Sequence, residues 1–154
     1  MNISIEGKSY RLLVVPAVSA RAFLEAELAN GMACLHRFIE AQVGGVWTPL
    51  DTKEKVETLV DSWEILAELE VRAYEFNYGF LKTWKPASVP AGMLAKHRVL
   101  DSKNVDPVIA AVIMSGLATY QELRDEYSLE EAFKILDVVT VSKINDYRAM
   151  EAAK

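Results

Sequence analysis

Cys34 and His36 stand two residues apart, and a thiol beside an imidazole is the pair from which a nucleophilic thiolate is made. On a helix, however, that spacing turns the two side chains to different sides, so they read as a small buried thiol and a partly exposed histidine. The other histidine, His97, sits in the basic tripeptide Lys96-His97-Arg98, which reads as solvated linker rather than as a phosphate contact. Neither histidine has cysteine, histidine or carboxylates at a metal-ligand spacing, so no metal and no cofactor is expected. Carboxylates occur in close pairs, as in Glu25/Glu27, Glu68/Glu70, Asp125/Glu126 and Glu130/Glu131. Acid–base chemistry would need two of them to converge in a pocket with separated pKa values. Most fall on polar helix faces or in first turns, where negative charge favours the helix dipole. The sequence holds no GxSxG, Walker or GxGxxG pattern. No catalytic residue is assigned, and an enzyme is not expected.

Whatever these residues do, a chain of 154 residues with 51% apolar and 25% charged residues must position them, and that is enough for one domain, 1–154, without a disulfide or metal staple. A formal net charge of −5 disfavours nucleic acid, because a mildly acidic surface repels phosphate backbones. One cysteine excludes an intramolecular disulfide and fits a reducing compartment. The first residues lack a signal-peptide pattern, and no window of eighteen uncharged apolar residues offers a membrane span. The expectation is a cytoplasmic protein.

The patterning predicts a mainly α fold with a small N-terminal β-hairpin and one long central amphipathic helix. Alternation over Asn2–Ile5, a turn at Glu6-Gly7-Lys8 and an apolar run from Tyr10 to Val15 predict the hairpin over 1–16, ended by Pro16. Its open edge needs a further strand, around Val46 to Leu50 or from another subunit, which makes it a surface for homo-oligomers. Long helices are expected over 17–85. In the first, Phe23, Leu24, Leu28, Met32, Leu35, Phe38 and Ile39 recur at three- and four-residue steps, with Asn30-Gly31 as a break. Gln42 to Leu50 reads as a loop or a hairpin. Asp51 and Glu54 then cap a helix whose stripe runs from Val56 through Trp63 and Leu69 to Trp84; unbroken, it would reach about 50 Å, so Gly79 bends it or its end meets a neighbour.

Pro86, Pro90 and Gly92 mark a linker over 86–105, and a helical subregion over 106–154 follows. Asp106-Pro107 opens a short helix that Gly116 stops. Thr119/Glu122 and Ser128/Glu131 have capping-box spacing, and the last helix runs from Leu129 toward the C-terminus despite the strand propensity of Val138 to Val141. Trp63, Tyr74, Phe76, Tyr78, Phe80 and Trp84 crowd the central helix, too many for one core face. Large aromatics left over are enriched at protein interfaces. The candidate partner-binding residues are Trp63, Phe76, Phe80 and Trp84, with Phe133 and Tyr147 from the last helix.

The C-terminal third contains Asp106-Pro107-Val108-Ile109, Gly116-Leu117-Ala118-Thr119-Tyr120-Gln121-Glu122-Leu123, Tyr127-Ser128-Leu129-Glu130-Glu131 and Asp146-Tyr147-Arg148-Ala149-Met150-Glu151-Ala152-Ala153. These segments resemble the tail assembly chaperones of long-tailed bacteriophages. The resemblance implies a non-enzymatic, often oligomeric protein that binds the apolar helical tape-measure protein, or another tail protein, and keeps it soluble. It implies the cytoplasm of a host cell if the protein is phage-encoded, and it transfers no individual residue. Two alternatives stand beside it: a structural virion component, such as a small tail or connector subunit, and a small regulatory protein that binds a host factor.

Overall fold

The computed structural model describes residues 1–30, with side chains through 26, and residues 35–93 and 104–153. They divide into two compact units: Met1–Val15 with Ala22–Thr83, and Pro16–Arg21 with Trp84–Lys154. Gly31, Met32, Cys34, Lys96, His97 and Arg98, on which several expectations rest, lie outside the described residues.

The first unit is built on a four-stranded antiparallel meander in the order β1 (Asn2–Ile5), β2 (Lys8–Leu12), β3 (Ile39–Val43) and β4 (Val46–Pro49). The N-terminal hairpin is therefore half of the sheet, and its open edge is taken by β3 of the same chain. The hairpin reading of Gln42 to Leu50 is the correct one. Gly44 and Gly45 have φ of 56° and 85°, the left-handed pair that a two-residue turn needs if its twist is to match the strands. Opposed residues share a face, and the register Tyr10↔Ala41 and Leu12↔Ile39 puts all four of these on the buried side. On the other side Arg11 forms an ion pair with Glu40 directly opposite and lies over the Trp47 ring, 4.8 Å from its centroid.

Tyr10 is fully buried, and its hydroxyl finds no hydrogen-bond partner among the described residues. Burial also pushes its pKa up, because the charged form would lose its hydration. A buried polar atom without a partner costs free energy, so Tyr10→Phe should raise stability, by about 1 kcal/mol. Urea unfolding checks this, and a clear loss of stability would show that the hydroxyl is satisfied after all.

Helix α1 (Ala17–Asn30) follows the first hairpin. The helical stripe expected to continue to Ile39 gives way to a 3-10 turn at Leu35–Phe38, and Ile39 opens β3 with no exposed surface. Three-residue spacing and strand alternation agree over so short a run, and the sheet's demand for a third strand decides between them.

The one long central helix is also corrected. It is two helices, α2 (Lys53–Leu59) and α3 (Trp63–Tyr78), followed by a 3-10 turn at Gly79–Lys82. Val60 is extended (φ −111°, ψ 120°), and the Ser62 hydroxyl accepts from the Ile65 N–H, which restarts the helix. The apolar stripe continues across this break, so periodicity alone does not see it; the competing side-chain cap does the breaking. Helix α2 is capped by Thr52, whose hydroxyl accepts from the Lys55 N–H, while Asp51 pairs with the Lys55 ammonium at 2.7 Å. On α3, Ile65, Leu66, Leu69, Ala73 and Tyr78 are buried. Asn77 fastens the helix to the chain leaving β2, donating to Leu13 O and accepting from the Val15 N–H. Phe23 of α1 stacks on Tyr78, 5.6 Å between centroids.

In the second unit α4 (Pro107–Met114), α5 (Tyr120–Asp125) and α6 (Leu129–Ala152) pack around Ala17, Ile109, Val112, Ala118, Leu123 and Ala132. Both capping boxes form as their spacing predicts, and α6, at 24 residues, is the longest described helix. Val138 to Val141 are helical within it. In the expected linker, Gly92 lies so close to α6 that a Cβ there would collide with the Tyr147 hydroxyl.

Candidate functional site

The corner between α2 and α3 presents the largest exposed aromatic of the first unit. Because Ser62 caps α3, Trp63 becomes the first residue of the helix, where its ring has no preceding turn to cover it; it is 70% exposed. The corner itself is anchored to the sheet. Lys8 of β2 pairs with Asp61 at 2.6 Å and donates to Leu59 O at 3.4 Å, and the Asp61 carboxylate holds the Lys8 ammonium above its ordinary pKa. The hydroxyl of Ser62 in turn holds the Glu64 carboxyl below the usual carboxylate range.

Beneath Trp63 a cleft of about 310 Å³ opens between the two helices and the 3-10 turn. Val56, Leu66 and Ala67 give it an apolar lining, and His36, Lys53, Glu57 and Glu70 stand around its mouth. Val56 and Leu66 are almost wholly buried. A smaller hollow of about 190 Å³ shares Val56, Glu57, Trp63 and Leu66 and extends to Val60, Asp61 and Ser62. The rim side chains are paired: His36 Nδ1 lies within hydrogen-bond reach of Glu70, at 3.3 Å, and the Lys53 ammonium lies 3.5 Å from the Glu57 carboxylate.

A histidine beside a carboxylate is one element of acid–base catalysis, but the arrangement needs a nucleophile or a held water within reach. Ser62, the hydroxyl that lines the smaller hollow, spends its oxygen on the cap of α3. Among the described residues no group of three or more histidine, cysteine, aspartate and glutamate side chains is placed to hold a metal ion. None of the described helices is long and apolar enough to cross a membrane.

The six aromatics singled out from the sequence divide between the two units, three in each. Trp63 alone lines the cleft. Phe76 is exposed further along α3, and Phe80 is half-buried in the turn that follows. In the second unit Trp84 and Phe133 meet edge to face, 5.3 Å between centroids, and Tyr147 is half-buried with its hydroxyl against Gly92. Sequence reasoning missed Val56, Leu66, His36 and Glu70 as parts of a site. The signal available for the corner was Asp61-Ser62-Trp63-Glu64, a cap before an aromatic, hidden because the apolar spacing runs through it.

Charge gathers at the same corner. Residues 51–75 carry eight carboxylates against three cations, a balance of −5, while the rest of the chain carries fourteen of each. The net charge of the whole protein thus belongs to α2, α3 and the residues that join them.

Comparison of the chain with family models, with curated proteins and with solved structures gives no match. This overturns the association with bacteriophages and tail assembly. The segments that carried it are, in the structure, helix starts: the Asp106 cap before Pro107 and the boxes at Thr119/Glu122 and Ser128/Glu131. Such caps satisfy free backbone donors in any helical protein and carry no ancestry of their own.

Proposed function

We propose that the protein is a non-enzymatic binding module whose first unit takes an apolar side chain of an amphipathic helix, presented by another protein, into the cleft between α2 and α3. The observation that carries this reading is Trp63, a large aromatic left in water at the mouth of an apolar cleft. Exposed indoles beside a groove are the usual anchors of helix recognition, because covering them releases water from a large rigid surface at little entropic cost. The cleft suits one or two inserted side chains better than a substrate, which needs most of its surface enclosed.

The test uses a synthetic helical peptide with leucines at i, i+3, i+4 and i+7 and glutamine elsewhere, titrated while tryptophan fluorescence is read. Saturable binding with a blue shift is expected. Trp63→Ala should weaken it about tenfold or more, as truncating an interface anchor does. Because Trp63 is mostly exposed, circular dichroism of that variant should match the parent. Equal affinity for both proteins would remove the cleft from the reading.

A further inference from the structure

We infer that the segment seated in the α2–α3 cleft is basic: a helix of a partner protein that carries lysine or arginine beside its apolar anchor. This rests on the reading of the cleft as a docking site and adds the partner's chemistry. Two observations carry it together. The first is that the local balance of −5 over residues 51–75 equals the net charge of the chain, with Glu57, Asp61 and Glu70 lining the cleft and its neighbouring hollow. The second is the exposed face of Trp63 among those carboxylates.

Each favours a cation for its own reason. A patch with a net negative charge attracts the opposite charge over about a Debye length, roughly 10 Å at moderate salt, and so steers and orients an approaching helix. An indole face attracts ammonium and guanidinium groups through its quadrupole while still offering apolar area to the stem of the same side chain. Lys53, which pairs with Glu57, is already inside that count, while Lys8 on Asp61 and Lys82 on Glu75 come from outside it and each offsets one charge, so an excess of about three negative charges stays with the corner. An acidic helix would meet that excess as repulsion.

Three peptides with one leucine face separate the possibilities: lysine and arginine, glutamine, or glutamate at the flanking positions. The basic peptide should bind the whole protein about tenfold tighter than the glutamine peptide, and the glutamate peptide should bind weakest, with the spread shrinking as salt screens it. Neutralising two carboxylates of the same stretch that do not line the cleft, with Glu54→Gln and Glu64→Gln, should erase most of the preference while leaving the glutamine peptide's affinity unchanged. Equal affinity for basic and neutral peptides would overturn this inference and leave the cleft as a docking site. No binding by any of the three would overturn both. Sedimentation of the protein alone supplies the remaining outcome: a dimer that Trp63→Ala dissolves would assign the cleft to a second copy of this chain and overturn the basic partner.

Discussion

Asp106→Ala should lower stability by about 3 kcal/mol, because one carboxylate holds two different parts of the second unit. Its Oδ1 caps α4, accepting from the Val108 N–H at 2.8 Å and the Ile109 N–H at 3.3 Å. Its Oδ2 accepts from Arg21 Nε at 2.8 Å and from the terminal guanidinium nitrogen at 2.6 Å. The carboxylate side chain is 8% exposed and the arginine 25%, so water replaces little of what the substitution removes. Loss of the cap accounts for about 1 kcal/mol. Leaving a mostly buried guanidinium without its acceptor accounts for about 2 kcal/mol more. Asp106→Asn separates the two effects, since asparagine caps as well as aspartate but carries no charge and, with its oxygen on the cap, turns its NH2 toward the arginine. Urea unfolding followed by circular dichroism should place the asparagine variant about 1 kcal/mol above the alanine variant. Identical losses would mean that the cap contributes nothing.

The same residue shows what a sequence can reveal. Asp106 before Pro107 announces a helix start, as do Thr119 with Glu122 and Ser128 with Glu131, because these caps are local chemistry, completed within four residues. All three starts stand where their spacing predicts. The partnership of Asp106 with Arg21 is invisible in the same residues, since it depends on a fold that brings positions 85 apart together. The first unit follows the same division. Gly44-Gly45 marks a two-residue turn locally, but which strands share a sheet is decided by pairing across long separations, and so Leu35 to Ile39 could be taken for helix. Trp63 was legible as an aromatic too many for the core, whereas the cleft beneath it required Val56 and Leu66 from two helices that periodicity joins into one. Where a hydroxyl at Ser62 competes with the ladder of backbone hydrogen bonds, the count of apolar positions carries no information about the break.

Leu69→Ala and Val71→Ala extend that contrast to two apolar residues of one helix. Leu69 is fully buried on α3, between Leu66 and Ala73 along the same inward face, whereas Val71 is 62% exposed on the outward one. Truncating leucine in a packed core removes its transfer free energy and leaves a cavity that neighbours fill only in part, a loss of about 2–5 kcal/mol. Truncating an exposed valine removes little burial and replaces a β-branched residue with the best helix former, so the change should stay within about 0.5 kcal/mol and can favour the fold. Thermal and urea unfolding of both variants measure the difference, and both should keep the parent's circular dichroism at low temperature if the leucine variant still folds. A leucine variant too unstable to fold gives the same ordering through the soluble yield and the folded valine variant. Comparable losses at the two positions would mean that α3 turns a different face inward, and with it the Ile65, Leu66, Leu69 and Ala73 stripe that sets Trp63 at the mouth of the cleft.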